Sequence, residues 1–362
     1  MVRIGIIGIG NMGSFHARNI LDGKVKNAAL TAVCDIDTAK SNKFDVPFFD
    51  NHTKLIESGL CDAVIVATPH YDHPQIGIDA LNAGFHLLSE KPLGVYEKQI
   101  TPLIEVAEKS DKVFAIMLNQ RTDGIFRKMK QITESGELGK ILRLNWIVTN
   151  WYRDQNYYDS GNWRGTYSGE GGGVLLNQAV HNIDIWQWIM GMPNRITAVL
   201  GFGKYHDISV EDDATLLAEY ESGATATFIT TTGEKHGENR FEIVFEHGRL
   251  LAEEGKLWLF TDEGKQEITP AEIGTEHIGI IQNFVNAIET GEALISPGAD
   301  GLGAVKIINA AYLSAWKNCS IEFPADAEEY FSQLKSRQTD GKKDKKLTDS
   351  SENSESRWKV KW

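Results

Sequence analysis

The spacing of hydrophobic positions changes along this chain and marks out its architecture. In the first third, short continuous apolar runs recur: Ile4-Gly5-Ile6-Ile7, Leu30-Thr31-Ala32-Val33-Cys34, Ala63-Val64-Ile65-Val66-Ala67, Phe85 to Ser89 and Val113 to Leu118. Such runs suit parallel strands buried on both faces. The stretches between them, Ser14 to Leu21, Pro74 to Ala83 and Tyr96 to Ser110, read as helices, the second stopped by Gly84. This alternation predicts a doubly wound α/β domain over residues 1–120. The middle behaves differently. A helix is expected from Gly124 to Glu134, a strand from Ile141 to Thr149 and a long apolar helix from Val174 to Met190. From Ile196 onward, strands are separated by the turn dipeptides Ser222-Gly223, His247-Gly248 and Glu263-Gly264, the pattern of an antiparallel meander. Helices near Glu276 to Glu289 and Leu302 to Trp316 follow. Residues 121–330 are therefore expected to form an α+β domain on an open, largely antiparallel sheet. The remaining 336–362 read as a charged, flexible tail: Gly341 to Ser356 is dense in Lys, Asp, Ser and Glu. Arg357-Trp358-Lys359-Val360-Lys361-Trp362 alternates at period two, which is compatible with an added edge strand.

Composition narrows the partners. A chain of 362 residues, 41% hydrophobic, exceeds one ordinary core and can fill two. Its formal net charge of −13 disfavours nucleic acid and anionic membranes and leaves small molecules. The three cysteines, Cys34, Cys61 and Cys319, form no C-x-x-C pair, and Cys34 and Cys61 read as buried structural thiols. No zinc site is implied. The first residues already belong to a strand, no apolar run approaches a membrane span, and a cytoplasmic setting is expected.

The chemistry begins at the first turn. The run ending at Ile7 enters Gly8-Ile9-Gly10-Asn11-Met12-Gly13, a helix-compatible stretch follows, and the second run stops at Asp35. A lone G-x-G-x-x-G is weak, and a strand–turn–helix with incidental glycines is the bland alternative. Here a strand precedes it, a helix follows and an acid stands about 20 residues on, as a Rossmann dinucleotide fingerprint requires. Gly8 permits the tight turn, Gly10 leaves room for pyrophosphate, and Gly13 lets the helix pack closely with its N–H groups facing phosphate. Asp35 would accept from the ribose hydroxyls and repel a 2′-phosphate, and Ile36 adds no positive charge, so NAD is expected over NADP. A second signal is Glu90-Lys91-Pro92, which follows an apolar strand directly. Ligands bind at the carboxyl ends of parallel strands, so Lys91 is placed at the nicotinamide; a surface lysine in a loop is the competing view. A third is the stripe Asn177, His181 and Asp184 at i, i+4, i+7 on an otherwise apolar helix. Buried polar groups need partners, protein or ligand, and the preceding Gly171-Gly172-Gly173 favours a site over satisfied core residues. Asp184 reads as structural.

Weaker constellations surround these. Trp151, Tyr152, Tyr157, Tyr158, Trp163 and Tyr167, with Arg153 and Arg164, suit the C–H faces and hydroxyls of a sugar ring, or else an ordinary loop cluster. Trp163 and Arg164, nearest the glycines, are the expected pocket residues. His70-x-x-His73 lacks the further ligands a metal needs and fits a cofactor cleft better, so no metal is expected. Glu211-Asp212-Asp213 and Glu253-Glu254 read as solvated turns.

Together Gly8 to Gly13, Ala67-Thr68-Pro69 with His73, Glu90-Lys91-Pro92, Asn119 and Arg121, and Gly171 to His181 resemble the glucose–fructose oxidoreductase, inositol dehydrogenase and rhizopine-catabolism (Gfo/Idh/MocA) family. The resemblance spans about residues 1–325. It implies an NAD(H)-dependent oxidoreductase acting on a secondary alcohol of a sugar, polyol or cyclitol, and a homodimer or homotetramer formed through the open sheet face. It implies cofactor contacts from Gly8, Gly10, Asn11, Met12, Gly13, Asp35, Thr68, Pro69, His70, His73, Glu90, Lys91 and Asn119. Lys91 and His181 match the family's catalytic pair, with Asn177, Trp163 and Arg164 at the substrate. In many members an Asp stands where this chain has Asn177, so His181 is expected to be the principal acid/base and Asn177 a positioning residue. Two alternatives known among relatives compete: a sugar-sensing regulator without chemistry, and a glycoside-cleaving enzyme that oxidises its substrate transiently with tightly held NAD.

Overall fold

The structure, a computed structural model, describes residues 1–161, 163–270 and 274–338. Its elements run β1 (Val2–Ile7), α1 (Asn11–Leu21), β2 (Ala28–Cys34), β3 (Phe48–Phe49), α2 (His52–Glu57), β4 (Ala63–Val66), α3 (His73–Asn82), β5 (His86–Ser89), α4 (Glu97–Glu108) and β6 (Phe114–Ile116). Next come α5 (Gly124–Ser135), β7 (Ile141–Val148), α6 (Gln155–Asp159), α7 (Val174–Asn177) and α8 (Val180–Met190). Strands β8 (Arg195–Phe202), β9 (Glu211–Glu219), β10 (Thr225–Thr231), β11 (Asn239–Phe245), β12 (Gly248–Glu253), β13 (Lys256–Thr261) and β14 (Gly264–Ile268) follow. The chain continues through α9 (Glu276–Thr290), α10 (Gly301–Lys317), β15 (Ile321–Glu322) and α11 (Ala327–Gln338).

The described residues form two compact units, the first made of Met1–Asp123 and Gly274–Val305, the second of the other described residues. In the first, six strands lie in the order β3-β2-β1-β4-β5-β6, every pair parallel. All of β4 and nearly all of β1 are buried, which is why their sequences carry no polar alternation. The chain leaves β1 toward β2 on one side, while β4 pairs on the other. That reversal opens the crevice in which doubly wound sheets hold ligands.

The segment 274–305 departs from the expected division at residue 120. Ile280, Ile281, Phe284 and Val285 of α9 are buried in one cluster with Ile4, Ile6 and Ile65 of the first sheet. An apolar helical strip reads the same whichever sheet it covers, so its address is not written in its own pattern.

The second unit is built on nine strands in the order β14-β13-β12-β11-β7-β10-β9-β8-β15. Only β7 and β10 pair in parallel; the other neighbours are antiparallel. Leu144, Trp146 and Val148 of β7 face inward, and Trp146 stacks on Phe241 with ring centroids 4.1 Å apart. Helix α11 extends through Ser336 to Gln338, into the start of the expected tail. The edge strand expected at Arg357 to Trp362 lies outside the described residues. Among the described residues no helix is long and apolar enough to cross a membrane. Cys34 and Cys61 are buried free thiols, and burial pushes Cys34 up to about 12, which keeps it inert.

Candidate active site

The first unit gathers the cofactor-type residues at strand ends. Gly8 adopts φ +90°, and a Cβ there would lie 2.6 Å from the Ala67 carbonyl oxygen, so only glycine fits between β1 and β4. Gly13 meets the turn itself: its Cβ would fall 1.8 Å from the Gly8 carbonyl oxygen. Around Gly10, by contrast, an added Cβ would have nothing within 4 Å, which is the open approach a pyrophosphate needs. Asn11 and Met12 form the first turn of α1, whose N-terminal N–H groups border that space.

Asp35, just past β2, is only 8% exposed. Its carboxylate accepts from the Ile9 and Asp37 N–H groups at 3.0 Å and from Lys40 Nζ at 3.0 Å to both oxygens. Lys40 is a residue that the sequence pattern missed. It stands five positions beyond Asp35, past a turn that local pattern does not fold back.

At the ends of β4, β5 and β6 stand Thr68, Lys91 and Asn119. Thr68 Oγ1 and Asn119 Oδ1 are buried and have no hydrogen-bond partner within the protein. Orphaned polar atoms at the ligand end of a parallel sheet fit a polar cofactor, as the glycine turn and Asp35 do. His70 is buried and Pro69 exposed beside Thr68. The imidazole of His73 is held on both sides. Its Nδ1 lies 2.8 Å from the Pro92 carbonyl and its Nε2 2.7 Å from the Thr68 carbonyl, so the ring ties the two turns together. Among the described residues no group of three or more His, Cys, Asp or Glu is placed to hold a metal ion.

Behind Lys91 lies a charged cluster that the sequence did not assemble. Glu90 Oε2 accepts from the Lys91 N–H at 3.0 Å, and Oε1 lies 2.6 Å from Nε2 of the fully buried His16 on α1. His277 of α9 packs its ring 5.8 Å from His16. Burial alone would push Glu90 up, but the bond from His16 and the positive charges of His16, His277 and Lys91 bring it down to about 2. Burial holds His277 down at about 4. The sign of the pH effect follows. The unfolded chain takes up a proton at His277 near pH 6.5 and at Glu90 near 4.5, and the folded chain takes up neither until lower pH. Stability from both groups is therefore complete above 6.5. It falls first through the histidine window down to 4 and then through the carboxylate window from 4.5 toward 2. Urea midpoints are expected to drop from pH 7.5 to 4.5 by the equivalent of about 1–3 kcal/mol. His277→Gln should flatten that part of the curve, and an unchanged slope in the variant would remove His277 as its source.

In the second unit, the predicted single helix from Val174 to Met190 is two: α7 ends at Asn177, and α8 starts at Val180. Both the Gln178 and Ala179 N–H groups bond to the Val174 carbonyl, which closes the first helix. The i, i+4, i+7 stripe is broken accordingly, with Asn177 closing α7 and His181 and Asp184 on α8. Asp184 is 1% exposed and accepts from Gln187 at 3.0 Å, a structural place.

Glu211 corrects another expectation. The sequence placed it in a solvated turn, but it is fully buried at the start of β9. It accepts from the Gly173 and Leu175 N–H groups at 2.9 Å and from the Tyr312 hydroxyl, capping α7. Burial pushes it up to about 7. A run of acids reads as surface unless the donors that meet it, here a helix N-terminus from another part of the chain, are known.

Arg164, expected at the substrate, is held by aromatic rings. Its guanidinium lies 4.4 Å over Tyr157 and 4.5 Å over Trp163 and donates to the Tyr157 hydroxyl at 2.6 Å. Asn177 Nδ2 reaches the same hydroxyl at 3.3 Å and also donates to the carboxylate of Glu170, a second residue that the sequence reading passed over.

Residues 2–118 match the oxidoreductase family with an NAD-binding Rossmann fold of the GFO/IDH/MocA group, and residues 126–251 match the GFO/IDH/MocA C-terminal domain. The myo-inositol 2-dehydrogenase of Thermotoga maritima is 26% identical over 345 residues, 89% of this chain and 98% of that protein. The inositol 2-dehydrogenase of Corynebacterium glutamicum (strain R) is 25% identical, over 82% of this chain and 89% of its own. Among solved structures, the WlbA dehydrogenase of Bordetella pertussis in complex with NADH and UDP-GlcNAcA is similar with TM-score 0.78 at 25% identity, covering 90% of this chain and 99% of that one. With both of its characteristic domains matched over more than half of its length, the chain belongs to the Gfo/Idh/MocA family of NAD-binding oxidoreductases.

Proposed function

We propose that this chain transfers hydride between NAD and a secondary alcohol or ketone of a sugar, polyol or cyclitol. The reading rests on one observation above others: three adjacent strand ends of a Rossmann sheet present Lys91 between two buried, unsatisfied acceptors, Thr68 Oγ1 and Asn119 Oδ1. The named inositol dehydrogenases among its relatives and the sugar-nucleotide complex of a structural neighbour supply the substrate class.

Gly8, Gly10, Gly13, Asp35, Thr68 and Asn119 would hold NAD, which when bound supplies the hydride acceptor or donor. Lys91, its backbone anchored by Glu90, offers an ammonium to the developing oxyanion. His181 accepts the hydroxyl proton in the oxidative direction and returns it in the reductive one. Asn177 and Trp163 orient the substrate, and Arg164 acts through Tyr157. A cytoplasmic setting, with its NAD(H) pool, suits this reaction.

NADH formation at 340 nm over a panel of cyclitols, aldoses, anhydrosugars and UDP-sugars tests the reading. At least one is expected to give turnover that His181→Ala lowers by about 10²–10⁴-fold. A blank across the panel with normal NAD binding would favour a sensor. Release of free sugar from glycosides without net NADH would favour transient oxidation instead.

A homo-oligomer is also proposed. The open face of the second sheet carries Val199 at 73% exposure and Leu217 at 41%, with Ile147, Ile229 and Val244 half-buried beside them. Light scattering at micromolar concentration is expected to give a dimer or tetramer mass, shifted toward monomer in Leu217→Glu; a monomer for the unaltered chain would remove the proposal.

A further inference from the structure

Glu170 has no part in the scheme above, yet its carboxyl is buried beside Asn177, at 1% exposure. Its Oε2 accepts from the Gly165 N–H at 2.7 Å, and its Oε1 accepts from Asn177 Nδ2. Arg164 Nη1 stands 3.9 Å from the same carboxylate, supplying the opposite charge that a buried acid requires. The Tyr157 hydroxyl belongs to the same cluster, accepting from Arg164 at 2.6 Å, Gln178 at 3.2 Å and Asn177 at 3.3 Å.

This arrangement fixes what Asn177 can do. An ionised carboxylate only accepts, so the amide edge facing Glu170 must be the NH₂ group. That group has two hydrogens, and Glu170 and Tyr157 lie within reach of both. The polarity of the side chain is thereby set, with Oδ1 as its acceptor. An Asp at position 177 would instead set two carboxylates against each other in a buried place, which like charges disfavour strongly. The departure from the family's common Asp is thus matched by a carboxylate seven residues earlier.

We infer that Glu170 is a positioning residue of the reaction: it locks the rotamer and polarity of Asn177, so that Asn177 serves substrate as a hydrogen-bond acceptor. The inference rests on the proposed reading that Asn177 acts at the substrate. With Glu170 neutralised, Asn177 loses its charged anchor, and the loss falls on turnover more than on cofactor binding.

The test uses the full-length chain loaded with NAD and the best substrate of the panel, comparing E170Q, N177D and E170Q/N177D. Expected for E170Q is a kcat lower by about 10–10²-fold, a charge-assisted hydrogen bond's worth. Its NAD affinity should stay within about threefold of the parent and its melting temperature should remain close. N177D is expected to lose kcat and melting temperature together. The double variant restores one carboxylate facing one amide with their places exchanged, and should recover at least about tenfold in kcat over N177D, beyond the product of the single effects. The pH profile of kcat should move in E170Q and return toward the parent in the double variant, which a merely structural role would not produce. If the parent turns over while E170Q keeps its kcat and pH profile, or the double variant falls to the product of the singles, Glu170 has no such role. A parent that turns over nothing on the panel overturns the reaction itself, and this role with it.

Discussion

Lys91→Ala is expected to lower kcat by about 10²–10³-fold, the usual consequence of removing one preorganised charge donor from a developing oxyanion. NAD affinity should change by less than about threefold, because the dinucleotide is gripped elsewhere, at the Gly8 to Gly13 turn and Asp35. The reason for the large effect is how firmly the residue is seated. The Lys91 N–H bonds to Glu90, Glu90 is locked to His16, and the next residue's carbonyl is held by His73. An ammonium carried on a fixed backbone needs less reorganisation when charge appears. Lys91→Arg keeps the charge but spreads it over a wider, planar fork, so it should recover only part of the rate. Steady-state kinetics with equilibrium NAD titration separate these effects. A Lys91→Ala chain with near-parent kcat would end the assignment.

The second large effect is expected at Gly13. Its Cβ would sit 1.8 Å from the Gly8 carbonyl oxygen, a contact between backbone-fixed atoms that no rotamer change relieves. Gly13→Ala must open the turn, lift the start of α1 and spoil the N–H array facing the phosphates. NAD affinity should fall at least about 10²-fold, as overpacking of about 1–3 kcal/mol is joined by loss of the cradle. The melting temperature should drop several degrees. Gly10→Ala supplies the contrast. Its Cβ meets nothing within 4 Å of protein and its φ of −65° suits any residue, so the fold should keep its melting temperature while NAD binding weakens. Equal behaviour of the two variants would mean that the glycines do not divide their work in this way.

Much of this architecture was legible from local pattern alone. The continuous apolar runs found the strands of the first sheet because burial on both faces leaves no polar alternation to confuse the reading, and the glycine turn carries its own stereochemistry. The meander was legible from its turn dipeptides. What stayed hidden depended on meetings between distant segments. Nothing local to α9 says that Phe284 joins Ile4, and nothing around Glu211 says that a helix N-terminus awaits it. Asn177 is legible from its apolar helix, but Glu170 stands in the turns before α7, and nothing local says that its carboxylate meets that amide. His16 and His277 were invisible as a pair for the same reason: one follows the glycine turn and the other opens α9.

The placement of Gly274–Val305 in the first unit has a consequence for biosynthesis. A ribosome delivers the nucleotide-binding sheet first, yet the helix that covers Ile4, Ile6 and Ile65 is translated about 160 residues after β6 has emerged. Until then an oily face of the earliest sheet lies open, and the nascent chain is a natural client for chaperones. Truncation before α9 should leave an aggregation-prone fragment, whatever binding motif it retains.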